Sequence, residues 1–178
     1  MISIQQIHTA DKEHYCFVEN LFTTAFPKEE RREISLQREY TDHKKHFHNN
    51  IILMNEVPVG FIVYWNFDSF FYVEHFAIDA TKRNGGYGQK ALDALKEQLK
   101  SPIVLEVEQP QNEISERRIR FYQRQGYQLW ENEYQQPPYR KKDNYLSMQL
   151  MVQGELDCDS DFELIKTTLY KEVYQVEN

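Results

Sequence analysis

Cysteine is nearly absent from this chain of 178 residues; Cys16 and Cys158 are the only two. That excludes a disulfide framework and a cysteine-based zinc site. Long apolar runs are missing too. Phe61–Trp65 is the longest purely apolar stretch, whereas a bilayer-spanning helix needs about twenty residues. Residues 1–15 are polar and mixed, without the apolar segment of a signal peptide. Positive charge is in deficit, with 21 Lys and Arg against 28 Asp and Glu and a formal net charge of −7. Such a balance disfavours nucleic acid and anionic membranes as partners. Residues 1–152 hold no internal repeat, low-complexity tract or linker. Apolar residues at 40% and charged residues at 28% suit a soluble globular chain with a real core. These features lead us to expect a reduced, cytoplasmic protein.

Two suggestive features dissolve on inspection. His43-Lys44-Lys45-His46-Phe47-His48 has only Asp42 beside it as a further ligand, so it reads as a solvated loop entering a strand, and no metal is expected. Aromatic residues reach 14%. Without interleaved basic residues they read as core and pocket packing rather than base stacking.

The pattern predicts a strand over Ser3–Ile7 and a helix over His14–Phe26, with Tyr15, Val18, Leu21, Phe22 and Ala25 at helical spacing. Pro27 can restart a helix at its first position, which gives a second one over Lys28–Tyr40. Phe47–Met54, Val57–Asn66 and Phe70–Ile78 read as an antiparallel meander with turns at Asn55–Glu56 and Asp68–Ser69. After the break at Arg83–Gly88 come a helix to Lys100 and a strand over Ile103–Glu108. Strand, helix and strand across residues 70–108 should form a right-handed parallel crossover. Ser115–Gln125 is a helix closed by Gly126 at the left-handed C-cap position. Tyr127–Tyr134 and Tyr145–Val152 are the last strands, joined by a Pro-Pro loop. Residues 153–178 read as an acidic linker and a helical appendage. Its helix, Asp161–Val176, carries a stripe of Phe162, Ile165, Leu169, Val173 and Val176 that must cover its own domain or a second subunit.

The segment Arg83-Asn84-Gly85-Gly86-Tyr87-Gly88 follows a strand and opens a helix. Glycines let main-chain N–H groups approach a ligand, and a helix N-terminus carries partial positive charge. A phosphate is the natural ligand there. Residues 80–92 contain Lys82, Arg83 and Lys90 and no acid, which leaves the anion to a ligand or marks a solvated turn. A Walker loop is excluded, because Gly88 is followed by Gln89-Lys90. A dinucleotide fingerprint fits poorly, because the preceding strands form a meander.

A second signal, Phe121-Tyr122-Gln123-Arg124-Gln125-Gly126-Tyr127, ends one helix and starts a strand. Together, Phe76-Ala77-Ile78 with the glycine segment and Tyr122 through Tyr127 resemble motifs A and B of the GCN5-related N-acetyltransferases, the GNAT superfamily. The resemblance covers about residues 1–150. It implies an α+β fold with a mixed, mostly antiparallel central sheet, a splayed parallel strand pair and flanking helices. Residues 1–152 would be the acetyltransferase domain. Acetyl-CoA would lie in the split between Phe70–Ile78 and Ile103–Glu108. Its pyrophosphate would rest on main-chain N–H groups of Asn84, Gly85, Gly86, Tyr87 and Gly88, with Arg83 reaching the phosphates. Main chain of Phe76, Ala77 and Ile78 would pair with the pantetheine arm and polarise the thioester.

The chemistry implied is transfer to a primary amine, which must lose a proton, while the leaving thiolate gains one. Tyr122 matches the family's acid. Glu74, His75 and water are the candidates for base, Glu74 being preferred because strand alternation gives it the face of Phe76 and Ile78. Many relatives begin the motif B helix with Asn and carry a small residue three positions later. Ser115 and Arg118 occupy those positions here, and Ser115 can serve as N-cap and cofactor ligand. Arg117 and Arg118 can also reach the phosphates, whereas Arg120 fits a solvated face. Phe26, Glu30 and Arg31, then Gln136 and Tyr139 around Pro137-Pro138, are candidates for the acceptor side. A homodimer is possible through the tail helix or an edge strand. The alternatives are a catalytically silent acyl-CoA-binding or sensing module and a nucleotide-binding regulator.

Overall fold

A computed structural model describes residues 1–176. The end of the expected appendage, Glu177 and Asn178, lies outside the described residues. The chain divides into two compact units, Met1–Ser101 and Pro102–Asn178. The first unit ends ahead of the strand Ile103–Glu108, and the tail lies in the second.

The first unit contains β1 (Ile2–Gln6), α1 (Lys12–Ala25), α2 (Ile34–His43), β2 (Phe47–Met54), β3 (Val57–Asn66), β4 (Phe71–Ile78) and α3 (Tyr87–Leu99). Strands β1 to β4 pair antiparallel in chain order. Asn55 and Glu56 both take positive φ, at 48° and 66°. That is the two-residue turn whose twist matches a tight hairpin. Helix α1 packs on β3 and β4, α2 on β2, and α3 on β1 and β4. The sheet is thus covered, and β3 is buried almost without a break from Val59 to Trp65, as a strand with two packed faces should be.

The predicted helix over Lys28–Tyr40 is replaced by a single 3-10 turn, Lys28–Glu30, and an extended link before α2 starts at Ile34. Arg31 and Arg32 cause the difference. Both are buried, and the extended link lets Arg31 Nε donate to the Phe26 carbonyl at 3.0 Å while Arg32 reaches the Glu74 carboxylate. Tertiary partners override the local helical pattern.

The second unit holds β5 (Ile103–Glu108), α4 (Glu113–Arg124), β6 (Gln128–Leu129), β7 (Tyr134–Gln136), β8 (Leu146–Gln153) and α5 (Phe162–Thr168). Strand β8 pairs antiparallel with β5, β6 and β7. The strand expected over Tyr127–Tyr134 is split into β6 and β7, because the chain leaves the ladder after Trp130 N–H reaches the Leu150 carbonyl. The tail helix also departs from expectation. After Thr168 it continues as a π-helical turn, Leu169–Val173. The stripe Phe162, Ile165, Leu169 and Val173 is buried, and Phe162 meets the Trp130 ring within its own unit. The fold class is α+β with mostly antiparallel pairing. No described helix is long and apolar enough to cross a membrane.

Candidate functional site

The glycine segment forms the entry to α3. Asp79 accepts from Thr81 N–H at 2.9 Å and sets the 3-10 turn Ala80–Lys82. Asn84 and Gly86 then take left-handed φ values of 67° and 69°, and Gly86 is the N-cap of α3. A Cβ on Gly85 would sit 2.6 Å from the Tyr87 ring, so a side chain there would displace that ring. The first intrahelical bond runs from Lys90 N–H to the Gly86 carbonyl at 3.1 Å. The N–H groups of Tyr87, Gly88 and Gln89 therefore precede the ladder and open outward. The first turn holds no acid. Arg83 is exposed, as are Lys82 and Lys90, and Lys90 lies over the Tyr87 ring. A helix N-terminus built this way suits an anion.

Strand β4 leads into that turn. Phe76, Ala77 and Ile78 pair with Ile62, Phe61 and Gly60 and keep partial exposure. Upstream the register slips. Val63 faces His75 and Tyr64 faces Val73, so Glu74 is the extra residue of a β-bulge. The bulge breaks the alternation that would have placed Glu74 with Phe76 and Ile78. The Glu74 side chain is 0% exposed, yet the residue as a whole is only partly buried. What is open at Glu74 is main chain. Its carboxylate accepts from Arg32 and from Trp65 Nε1 at 2.8 Å. Arg32 also donates to Gln37 at 2.9 Å and lies over the Tyr40 and Phe47 rings. Glu74 is thereby an internal anchor between β4 and the link before α2.

His75 is a core histidine. It is buried, its Nε2 meets the Glu30 carbonyl at 2.9 Å, and it stands edge-on to Phe22 and Phe26. Burial holds its pKa below the ordinary value, and this outweighs the opposing pull of Glu74. A neutral ring donating Nε2–H follows. Phe26, Glu30 and Arg31, expected on the acceptor side, are thus assembled around this histidine.

In the second unit, α4 carries Tyr122. The helix begins two residues earlier than expected because Asn112 is its N-cap. The Asn112 side chain accepts from Ile114 and Ser115 N–H, each at 3.0 Å, and Asn112 N–H donates back to Ser115 Oγ at 3.2 Å. This capping box corrects the assignment of Ser115 as N-cap. Its buried hydroxyl is committed to Asn112, to whose carbonyl it donates at 2.9 Å. The signal was an Asn followed three residues later by Ser. Arg118 pairs with Glu108 at 3.4 Å and Arg120 with Glu116 at 3.1 Å. Gly126 takes the left-handed C-cap conformation, φ 85°, and Tyr127 N–H closes on the Tyr122 carbonyl at 3.1 Å.

Tyr122 is buried, with Phe121 and Tyr127 rings beside it. Desolvation outweighs the Arg118 charge and pushes its phenol up to about 12. The group stays protonated throughout the physiological range and can give a proton to a strong base. Tyr127 is also buried, and burial raises its pKa further.

From sequence, Glu106 is weighed only as the acid of a dinucleotide fingerprint that fits poorly. This residue interrupts the apolar strand β5 and is partly exposed. Its Oε1 accepts from the Tyr134 hydroxyl. Its Oε2 accepts from Gln136 Nε2 and from the Tyr174 hydroxyl, each at 2.7 Å. Tyr134, Gln136 and Tyr174 are all buried, and the Tyr139 ring lies tilted against Tyr174 with centroids 5.3 Å apart. The available signal was a lone carboxylate in the middle of an apolar strand. Its partners come from β7 and the tail, beyond the reach of local pattern. Of the expected acceptor-side residues, Gln136 thus bonds this carboxylate, and Tyr139 meets the ring of Tyr174, which bonds it too. Among the described residues no three His, Cys, Asp or Glu side chains gather as metal ligands would.

Comparison with known proteins supports the fold and shows the family. The Acetyltransferase (GNAT) family model matches residues 11–127. The chain is similar to a GNAT-family protein of Bacteroides thetaiotaomicron, 53% identical over 98% of this chain and 99% of that one, with a TM-score of 0.97. Two more distant structures share the fold. Arabidopsis thaliana Naa50 in complex with the bisubstrate analogue CoA-Ac-MVNAL is 14% identical over 86% of this chain and 99% of that one, with a TM-score of 0.60. A Bacillus subtilis acetyltransferase in complex with CoA is 12% identical over 88% and 100%, with a TM-score of 0.55. Among curated proteins no sequence matches.

Proposed function

This chain belongs to the acetyltransferase (GNAT) family, and we propose that it moves the acetyl group of acetyl-CoA to a primary amine by direct transfer in a ternary complex. The observation that carries the proposal is the entry to α3. There, two left-handed residues and an acid-free first turn present main-chain N–H groups beside exposed Lys82, Arg83 and Lys90. The pyrophosphate binds to Asn84–Gly88, and Arg83 adds a cation. The main chain of Phe76–Ile78, partly open at the end of β4, receives the pantetheine arm.

The amine nitrogen attacks the thioester carbonyl carbon, and the carbon–sulfur bond breaks. Tyr122 gives its phenolic proton to the departing thiolate and recovers one from solvent. The amine proton must also leave. Glu74 and His75 are supported poorly for that task, one carboxylate being bound to Arg32 and Trp65 and the ring enclosed by phenylalanines. Glu106 suits it better. Three hydrogen bonds orient its carboxylate as an acceptor, and it sits on β5, the strand the family sets beside the acyl donor.

The test of the cofactor site is the melting temperature with acetyl-CoA, beside ATP and NAD. A ligand at about 100 times its dissociation constant stabilises by roughly 2.7 kcal/mol, about 5–11 °C for a chain of this size. We expect that shift with acetyl-CoA alone. No shift, or one with ATP or NAD instead, would remove the acetyltransferase proposal. Tyr122→Phe then separates an enzyme from a silent acyl-CoA-binding module. It should keep the acetyl-CoA shift and lose about 10²- to 10⁴-fold in kcat.

A further inference from the structure

The family model ends at residue 127, yet the tail reaches back to Glu106. After α5 the tail tightens into the π-helical turn, and Tyr174 N–H bonds to the Leu169 carbonyl at 3.2 Å, five residues back. Such insertions are rare and recur at functional sites. The end of the turn is pinned on three sides. Gln175 takes a left-handed φ of 56°, Val176 N–H returns to the Tyr170 carbonyl at 2.9 Å, and the Tyr170 hydroxyl donates to the Gln135 carbonyl. Held in this way, the buried Tyr174 hydroxyl donates to Glu106 Oε2 at 2.7 Å and accepts from Gln136 Nε2 at 2.6 Å.

We propose that Tyr174 is a positioning residue for the acceptor: the C-terminal tail fixes the Glu106 carboxylate in the orientation that receives the amine and its proton. The inference rests on the assignment of Glu106 to the acceptor amine. Tyr174 acts through that carboxylate, and it touches neither the acetyl donor nor the attacking nitrogen. A hydroxyl bonded to a carboxylate stabilises its charged form, so the pH dependence of a variant lacking that hydroxyl reports on the contact.

The test compares Tyr174→Phe, which removes one oxygen and keeps the ring, with Glu106→Gln. Thiol release from acetyl-CoA is followed with 1,4-diaminobutane and with the tripeptide Ala-Ala-Ala as amine probes. The Glu106 carboxyl is titrated by ¹³C NMR in glutamate-labelled full-length protein, its signal identified by its loss in Glu106→Gln. In Tyr174→Phe we expect kcat/KM for the amine to fall about tenfold and KM for acetyl-CoA to stay within about twofold. The acidic limb of kcat/KM and the Glu106 titration should both move up by about one pH unit. A wholly structural Tyr174 would leave both midpoints in place, and unchanged midpoints or unchanged kcat/KM for the amine overturn the inference. Wild-type turnover by Glu106→Gln, or no turnover of either amine by the native enzyme, overturns instead the assignment on which it rests.

Discussion

Two strands of this molecule each carry a glutamate that meets buried polar partners, and the two are accommodated differently. Glu74, in the β4 bulge, meets a guanidinium and an indole N–H. Glu106, on β5, meets two phenols and an amide. A buried carboxylate needs such partners, because desolvating an ion is expensive. The choice of partner has consequences. Arg32 brings a formal charge of its own and a fixed geometry, and the pair is sealed, with side chains 3% and 0% exposed. Tyrosine hydroxyls and an amide orient a carboxylate while adding no formal charge. The first arrangement suits a joint within the fold and the second a group that must answer to a ligand.

The contrast can be broken most forcefully at Arg32. Arg32→Met strands the Glu74 carboxylate in the core and should cost about 3–5 kcal/mol in urea denaturation. Arg32→Met combined with Glu74→Leu removes both charges and should recover most of that loss. If the single variant costs under 1 kcal/mol, the ion pair is not the anchor described here. A smaller effect is expected at the other glutamate. Tyr134→Phe deletes one charged hydrogen bond and should cost about 1.5–3 kcal/mol, with the fold kept by near-ultraviolet circular dichroism. Equal losses at the two sites would erase the distinction.

The smallest effect sharpens the account of the first unit. Native His75 has a pKa depressed below 6.5, chiefly by burial. As pH falls through 6.5 the unfolded chain takes up a proton that the folded ring refuses. Stability from this group is therefore full above about pH 6.5 and declines in acid. The denaturation midpoint of His75→Gln should fall less between pH 7 and 5 than that of the native protein. Parallel curves would mean that His75 contributes nothing to the acid sensitivity.

Features set by neighbours in the chain were legible in the sequence. The β2–β3 turn at Asn55–Glu56, the Gly126 cap and the glycine entry to α3 each follow from local chemistry, and the two motifs gave the family and its fold. Features set by distant partners were not. Period-two alternation cannot anticipate a bulge, so Glu74 was assigned the face of Phe76 and Ile78. A helical pattern over Lys28–Tyr40 contains no hint that Arg32 finds its partner in Glu74, 42 residues later. Glu106 looked like any charged residue until β7 and the tail brought Tyr134, Gln136 and Tyr174 to it.

The bulge in β4 has one further consequence. Where Glu74 is open, only its peptide backbone is open. A molecule gripped by peptide groups cannot be told apart from its analogues by swapping a side chain, and the grip survives sequence drift that preserves the bend. Under the proposed function, in which the acetyl donor pairs with main chain at the end of β4, selectivity between acceptors can change by substitution elsewhere while the donor end stays constant.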